Sequence, residues 1–233
     1  EEVSLFAVAD GRNAAALAPA RDYKRIGDGD TGPNTGGMGS FSPVGGMSAG
    51  DAQELLETVH LPVLAELALR GRPFVGLLYA GLMLTEAGPK VLEFNCRFGD
   101  PETQAIRPRI DGDLLEVLAA AAGGDLGGIR TSTREDAAVT VVLASRDYPE
   151  RGDSGTPIEG ADDVAAAALV FHAGTAVRGG QLVTNGGRVL NVTGLGPTLD
   201  AARDTAYAAC ASISFDGMQY RRDIAARTAD VAT

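Results

Sequence analysis

The run Lys90–Gln104, KVLEFNCRFGDPETQ, decides how this chain is read. Its first half alternates as an extended strand does, so residues two apart share a side. Glu93, Asn95 and Arg97 are therefore expected on one face, with Leu92, Phe94, Cys96 and Phe98 turned into an apolar layer. A carboxylate, an amide oxygen and a guanidinium in a row suit a hard divalent cation that carries phosphate groups. Mg²⁺ takes oxygen ligands at about 2.1 Å and often only one or two of them from protein, and a guanidinium grips phosphate oxygens. An edge strand with a solvated outer face would show the same alternation, and the strand alone leaves both readings open.

Working outward, Phe74–Thr85 reads as the preceding strand, joined to Lys90–Phe98 through Glu86-Ala87-Gly88-Pro89 as an antiparallel hairpin. Upstream of it, Asp51–Arg70 has helical spacing, with Leu55, Leu56, Val59, Val63, Leu64 and Leu67 as its buried stripe. Ser48 or Asp51 is its expected cap and Gly71 its end, and Pro62 is expected to bend or divide it. Val3–Ala9 reads as a strand, followed by a turn at Asp10-Gly11 and a short extended run near Ala14–Leu17.

Pro19–Gly46 is dense in Gly, Asp, Pro and Thr and reads as one long loop, a length that usually signals function or disorder. Within it, Lys24 and Arg25 put two cations beside the glycines Gly32–Gly39. Glycines let backbone N–H groups approach an anion, and Asp22, Asp28 and Asp30 suit sugar hydroxyls or an amine. The run does not fit the phosphate-loop pattern GxxxxGK[ST].

Downstream, a helix is expected over Gly112–Ala122, then a polar stretch Gly123–Asp136 that marks the domain boundary. Strands follow near Ala137–Ser145, Ala168–Ala173, Gln181–Thr184 and Arg188–Thr193. Asn185-Gly186-Gly187 is the expected hairpin turn between the last two. Thr198 is expected to cap a helix that runs to Ile213. The fold class is α+β in two units, 1–125 and 136–233.

Bulk properties narrow the field. A net charge of −11 argues against nucleic acid, whose partners carry basic clusters. Two cysteines, Cys96 and Cys210, make neither a disulfide framework nor a metal cluster. The opening EEVSLFAVADG lacks the features of a leader, and no run reaches the ~20 apolar residues of a membrane span. A cytoplasmic location is the expectation. His60 and His172 lie isolated in apolar runs and are read as core residues without a role.

Arg97–Gln104, RFGDPETQ, matches the R-F-G-D-P-E-x-Q signature of the phosphoribosylamine–glycine ligases (glycinamide ribonucleotide synthetases). Pro33–Gly39, PNTGGMG, preceded by Asp22-Tyr23-Lys24-Arg25, resembles that family's other hallmark. The likeness extends from EEVSLFAVADG to YRRDIAAR at Tyr220–Arg227. It implies the distal part of an ATP-grasp core, a mostly antiparallel sheet with helices, followed by a small mixed β/α carboxy-terminal domain. It also implies that the amino-terminal domain and the ATP lid of such enzymes are missing from this chain.

The activity so implied joins glycine to 5-phosphoribosylamine with ATP and Mg²⁺ (or Mn²⁺), through glycyl phosphate, in purine synthesis. Carried over residue by residue, Glu93 and Asn95 hold the metal and its nucleotide, and Arg97 is catalytic, stabilising charge on the transferred phosphoryl group. Asp22, Lys24, Arg25, Asp30, Asn34, Thr35, Gly36, Gly37 and Asp100 contact substrate. Many ATP-grasp relatives carry a further acidic ligand on the preceding strand, whose place here falls near Gly81, so two protein ligands are expected. The alternatives are a truncated module without catalysis and another ATP-grasp ligase of purine synthesis, such as a carboxylase.

Overall fold

The computed structural model describes residues 1–129, 131–164, 166 and 168–226. Arg227, the end of the YRRDIAAR run, lies outside them. The described chain forms antiparallel sheets with helices, an α+β protein, in two compact units that interleave along the sequence. The first comprises Glu1–Arg21, Ser42–Gly99 and Arg109–Glu135. The second comprises Asp22–Phe41, Asp100–Pro108 and the described residues from Asp136 onward. Grouping by contact thus differs from the linear division at 125–136, because two inner segments pack with the second unit.

The first unit is built on a four-stranded sheet ordered Ala14–Ala16, Glu2–Asp10, Val75–Thr85 and Gly88–Asn95. Glu2–Asp10 is buried along almost all its length, as expected of an inner strand whose residues are Val, Leu, Phe and Ala. The helical region covers one face. Ser48 caps it with a full capping box: its Oγ accepts from Asp51 N, and the Asp51 carboxylate accepts from Ser48 N at 2.6 Å. Helix Ala49–Leu55 passes into a π-helical turn at Leu56–His60 and resumes as Leu61–Leu69, so the division falls just before Pro62. A proline ring takes up the space of an i−4 carbonyl contact, and the wider turn relieves that clash. Leu55, Leu56, Val59 and Leu64 are buried, while Val63 and Leu67 are only partly so. Gly71 ends the helix at φ +71°, a conformation that glycine adopts without strain.

His60 is fully buried. Burial pushes its pKa down, so it stays neutral in the fold. Asp10 is a second buried titratable group in this unit. Its carboxylate accepts from the backbone N–H of Arg12 (2.8 Å), Asn13 (2.6 Å) and Leu126 (2.9 Å). Burial alone would raise its pKa, but these bonds outweigh it and hold the value at about 2, against the ordinary 3.8. Between those values the unfolded chain binds the extra proton, so stability present above pH 3.8 is lost as pH falls toward 2. Asp10→Asn is therefore expected to cost about 1.5–3 kcal/mol at neutral pH. Its penalty relative to the parent should shrink in urea titrations carried from pH 5 to pH 2, and a penalty that stays constant would refute the assignment.

The second unit has a five-stranded sheet ordered Ala168–His172, Arg188–Gly196, Ala137–Ala144, Gly39–Ser42 and Arg21–Asp22. Helix Leu199–Cys210, capped by Thr198 Oγ accepting from Ala201 N, packs its Ala202, Ala206 and Ala209 side into the core. The alanines and Gly194 permit close approach: a Cβ at Gly194 would collide with the helix backbone at Ala202 and Ala206.

Two expectations change here. The segment 19–46 is not one irregular loop, since it contributes Gly39–Ser42 to this sheet and folds a hairpin from Arg25–Gly27 and Thr31–Asn34. Its glycine content masked a buried strand: Met38, Gly39, Ser40 and Phe41 are all buried. Nor does Asn185-Gly186-Gly187 turn a hairpin. Gln181–Gly186 belongs to a separate three-stranded sheet with Asp153–Pro157 and Thr175–Arg178, and the chain crosses into the large sheet at Gly187. The true hairpin turn is Gly179-Gly180, both at positive φ (58° and 82°), between paired Arg178 and Gln181.

Candidate functional site

The strand Gly88–Asn95 pairs with Val75–Thr85 as expected, but with a bulge: Val91 faces Leu82 and Glu93 faces Gly81, leaving Leu92 as the extra residue. The bulge precedes Glu93, so Glu93 and Asn95 keep their phase and share a face opposite Gly81 and Tyr79. A Cβ placed at Gly81 would lie 3.3 Å from Glu93 Cγ and 3.1 Å from the Tyr79 hydroxyl. The absent side chain at Gly81 thus leaves room for the Glu93 side chain at its Cγ. Register puts Gly81 where hairpin spacing places it, directly across from Glu93. Ser4 Oγ and Tyr79 Oη, 3.2 Å apart, complete this polar face. Sequence reading missed both hydroxyls, because Ser4 and Tyr79 lie in strands that otherwise read as apolar.

Two features of the stretch are corrected. The strand ends at Asn95, and Arg97 follows in a bend, where its Nη1 donates to Phe98 O at 3.0 Å. Strand alternation therefore does not place Arg97; the break toward Gly99-Asp100 does. The apolar layer is also absent within this unit: Leu92 (51%), Phe94 (37%), Phe98 (36%) and Cys96 are exposed. Gly88–Asn95 is the last strand of its sheet, and Phe94 meets the His60 ring in a T-shaped contact at 6.3 Å between ring centres.

Glu93 is exposed and Asn95 partly so, which leaves their oxygens accessible. One carboxylate and one amide carbonyl, separated by a single residue, fit a hard divalent cation that draws its remaining ligands from water and phosphate. Among the described residues no three of His, Cys, Asp and Glu come together as a metal cluster. A closed structural metal centre is therefore not what these residues offer.

The other residues singled out in the sequence lie in the second unit. The carbonyl of Lys24 accepts both Thr35 N (2.7 Å) and Thr35 Oγ1 (2.8 Å), and Thr35 Oγ1 in turn accepts from Gly37 N (2.9 Å). Gly37 has φ +115°, and a Cβ there would collide with Pro101 Cδ. Thr35, Gly36 and Gly37 are thereby brought against Asp100-Pro101. The Asp100 carboxylate, partly exposed, accepts from Gln104 Nε2 at 3.0 Å through Oδ1, leaving Oδ2 without a partner among the described residues.

Elsewhere the loop residues hold the fold. Arg25 Nη1 donates to Gly32 O across its own hairpin at 2.6 Å. Asp30 pairs with Arg221 at 2.7 Å, and Asp28 accepts from Arg222 N at 2.7 Å. These bonds engage Asp28 and Asp30, two of the three carboxylates that the sequence offered for sugar hydroxyls or an amine. Asn34 is exposed at the end of its hairpin strand, and Asp22 sits in the edge strand of the five-stranded sheet.

Residues 1–103 match the family described as phosphoribosylglycinamide synthetase, ATP-grasp (A) domain, and residues 138–227 match its C domain. A phosphoribosylamine–glycine ligase of Rhizobium meliloti is 50% identical over 224 residues, which is 96% of this chain and 53% of that protein. One from Streptomyces coelicolor is 51% identical over 233 residues, 98% of this chain and 56% of that protein. The crystal structure of the Thermotoga maritima phosphoribosylamine–glycine ligase superposes with a TM-score of 0.87 at 41% identity, covering 96% of this chain and 55% of that one. A biotin carboxylase domain from Hydrogenobacter thermophilus shares the fold alone, at TM-score 0.63 and 13% identity. The chain spans about half the length of the curated relatives it matches.

Proposed function

The chain belongs to the phosphoribosylglycinamide synthetase family, and from that premise we propose that it is the distal part of an ATP-dependent ligase joining glycine to 5-phosphoribosylamine. The observation that supports the reading is the register of the hairpin, with Glu93 opposite Gly81 and Asn95 opposite Tyr79. In this reading Glu93 and Asn95 would hold Mg²⁺ or Mn²⁺, which would neutralise phosphate charge. Glycine's carboxylate oxygen attacks the γ-phosphorus of ATP and ADP leaves. The amine of phosphoribosylamine then attacks the glycyl carbonyl, phosphate leaves, and the nitrogen loses a proton as the amide forms.

This chain's own residues bind and orient in that scheme. Arg97 lies two residues beyond Asn95 and presents a planar cation to the transferred phosphoryl oxygens. Thr35, Gly36, Gly37 and Asp100 form the substrate-contacting surface of the second unit, where Asp100 Oδ2 suits an ammonium group. Lys24 and Asp22 contribute beside them. Arg25 and Asp30 play supporting parts through Gly32 and Arg221. Phosphoryl transfer is chiefly positioning and charge stabilisation, which is what such groups supply.

The remaining half of the ligase is a required partner in this proposal, and the exposed Leu92, Phe94 and Phe98 support it as apolar surface without cover. No helix among the described residues is long and apolar enough to cross a membrane; a cytoplasmic site of action belongs to the proposal. The chain alone is expected to form little or no ADP, since a ligase must close over ATP to exclude water. Adding the amino-terminal half of the Streptomyces coelicolor ligase is expected to restore ADP formation that requires glycine. ADP formation that depends on bicarbonate and not on glycine would instead support the carboxylase reading.

A further inference from the structure

The glycine-dense segment and the Asp100 turn come from distant parts of the sequence, and the groups that join them come from a third. Arg188 opens the strand Arg188–Gly196 beside the irregularity at Leu143/Ala144. Its Nη1 donates to Gly36 O at 2.8 Å and to Asp100 O at 2.7 Å, and lies 3.3 Å from Asp100 Oδ1. The guanidinium also lies close to the glycine, since a Cβ at Gly36 would come within 3.1 Å of Arg188 Cζ. Tyr148 closes the other side: its hydroxyl accepts from Gly36 N at 2.8 Å, and its ring fills the space over Gly187. Both polar groups of Gly36 are therefore taken by side chains more than 110 residues away in sequence.

We propose that Arg188 and Tyr148 are positioning residues that set the geometry of the substrate-contacting segments Thr35–Gly37 and Asp100-Pro101. The proposal rests on the reading of those segments given above. Arginine suits the task because one nitrogen carries two protons, and two backbone carbonyls from separate segments converge on it. A carbonyl left without that donor is free to turn, and the glycines around it offer little resistance to turning. The cation also lies beside the Asp100 carboxylate, so it holds that group's direction as well as its backbone.

The test uses the 233-residue chain and reads amide exchange by NMR together with ligand titration. Tyr148→Phe removes the acceptor of Gly36 N–H and is expected to speed exchange at Gly36 about tenfold, the loss of one hydrogen bond. Arg188→Met is expected to speed exchange about tenfold at Thr35 and Gly37, while Val141 and Val192 in the sheet core keep their parent rates. Glycine and ribose 5-phosphate, the latter a stable stand-in for phosphoribosylamine, are then titrated separately.

The parent is expected to show shifts at Thr35–Gly37 and Asp100 with one or both probes. Arg188→Met should weaken that response about tenfold, and Arg188→Lys, which keeps donors at a similar point, should recover part of it. Unchanged exchange at Thr35–Gly37 in Arg188→Met overturns the proposal, and so does faster exchange with undiminished ligand response. If the parent responds to neither probe while both variants loosen the segment, the clamp stands and the substrate reading falls.

Discussion

Replacing Arg221 by methionine is expected to destabilise the second unit by about 3–5 kcal/mol, the loss associated with stripping one partner from a buried ion pair. Arg221 is 2% exposed. Its guanidinium donates to both Asp223 oxygens (2.7 and 2.6 Å), to Asp30 (2.7 Å) and to the Arg25 carbonyl (3.1 Å), and it lies 4.7 Å over the Tyr23 ring. The residue thus ties the hairpin of residues 25–34 to the segment near the carboxy-terminal end. Asp223 is 14% exposed, so without the arginine a desolvated carboxylate is left behind. Much of the penalty comes from that orphaned charge rather than from the lost attraction.

The sign of the pH dependence separates this account from a simple packing defect. Burial alone would raise the Asp223 pKa, but the bonds and charge of Arg221 hold it below 3.8. Stability from the pair is therefore present above pH 3.8 and lost as pH falls through the native value. The gap between parent and Arg221→Met in urea titrations should narrow in acid. Arg221→Met combined with Asp223→Asn should regain part of the loss at neutral pH, because an amide tolerates burial better than an unpaired carboxylate. A gap independent of pH, or no recovery in the double variant, would show that lost packing of the long side chain is the larger effect.

In the reconstituted ligase, Glu93→Gln is expected to lower kcat roughly 10²–10³-fold, the scale of removing one group that stabilises transition-state charge. Glutamine is nearly isosteric, and Glu93 is exposed opposite Gly81, so melting of the isolated chain should be unchanged. The Mg²⁺ concentration for half-maximal activity should rise, since a neutral oxygen replaces the carboxylate opposite Gly81. Glu86→Gln, an exposed charge change in the hairpin turn, serves as a control and should leave both quantities alone. Gly81→Ala offers an independent check, because the new methyl intrudes on Glu93 and the Tyr79 hydroxyl while leaving every charge in place. Full activity with an unaltered Mg²⁺ titration in Glu93→Gln would remove the metal-holding role.

How much of this was legible in the chain depends on how local the cause was. Ser48, Gly71 and Thr198 mark helix ends because capping involves residues within one turn, and each does what its type implies. The hairpin that carries Glu93 was also legible, as both strands and the turn are contiguous. The bulge at Leu92 was not, because register answers to packing on the neighbouring strand. Gly39–Ser42 escaped notice for a related reason: small residues there are selected by close approach, a Cβ at Gly39 lying 2.7 Å from Thr140 O, and not by hydrophobic alternation. Asn185-Gly186-Gly187 misled because a good turn sequence also serves a chain that changes sheets.

The order of residues by itself determined the α+β class, the capped helices, the glutamate–asparagine pair and the family to which RFGDPETQ points. Those follow from periodicity and from chemistry carried within a few neighbouring residues. Only the folded arrangement decided that Asp28 and Asp30 bond to Arg222 and Arg221, that Arg97 lies past the end of its strand, and that Arg188, Tyr148 and Arg221 reach the glycine-rich segment from far along the chain. Such pairings are set by which segments share a core, and a side chain's partner across 150 residues leaves no mark on the letters around it.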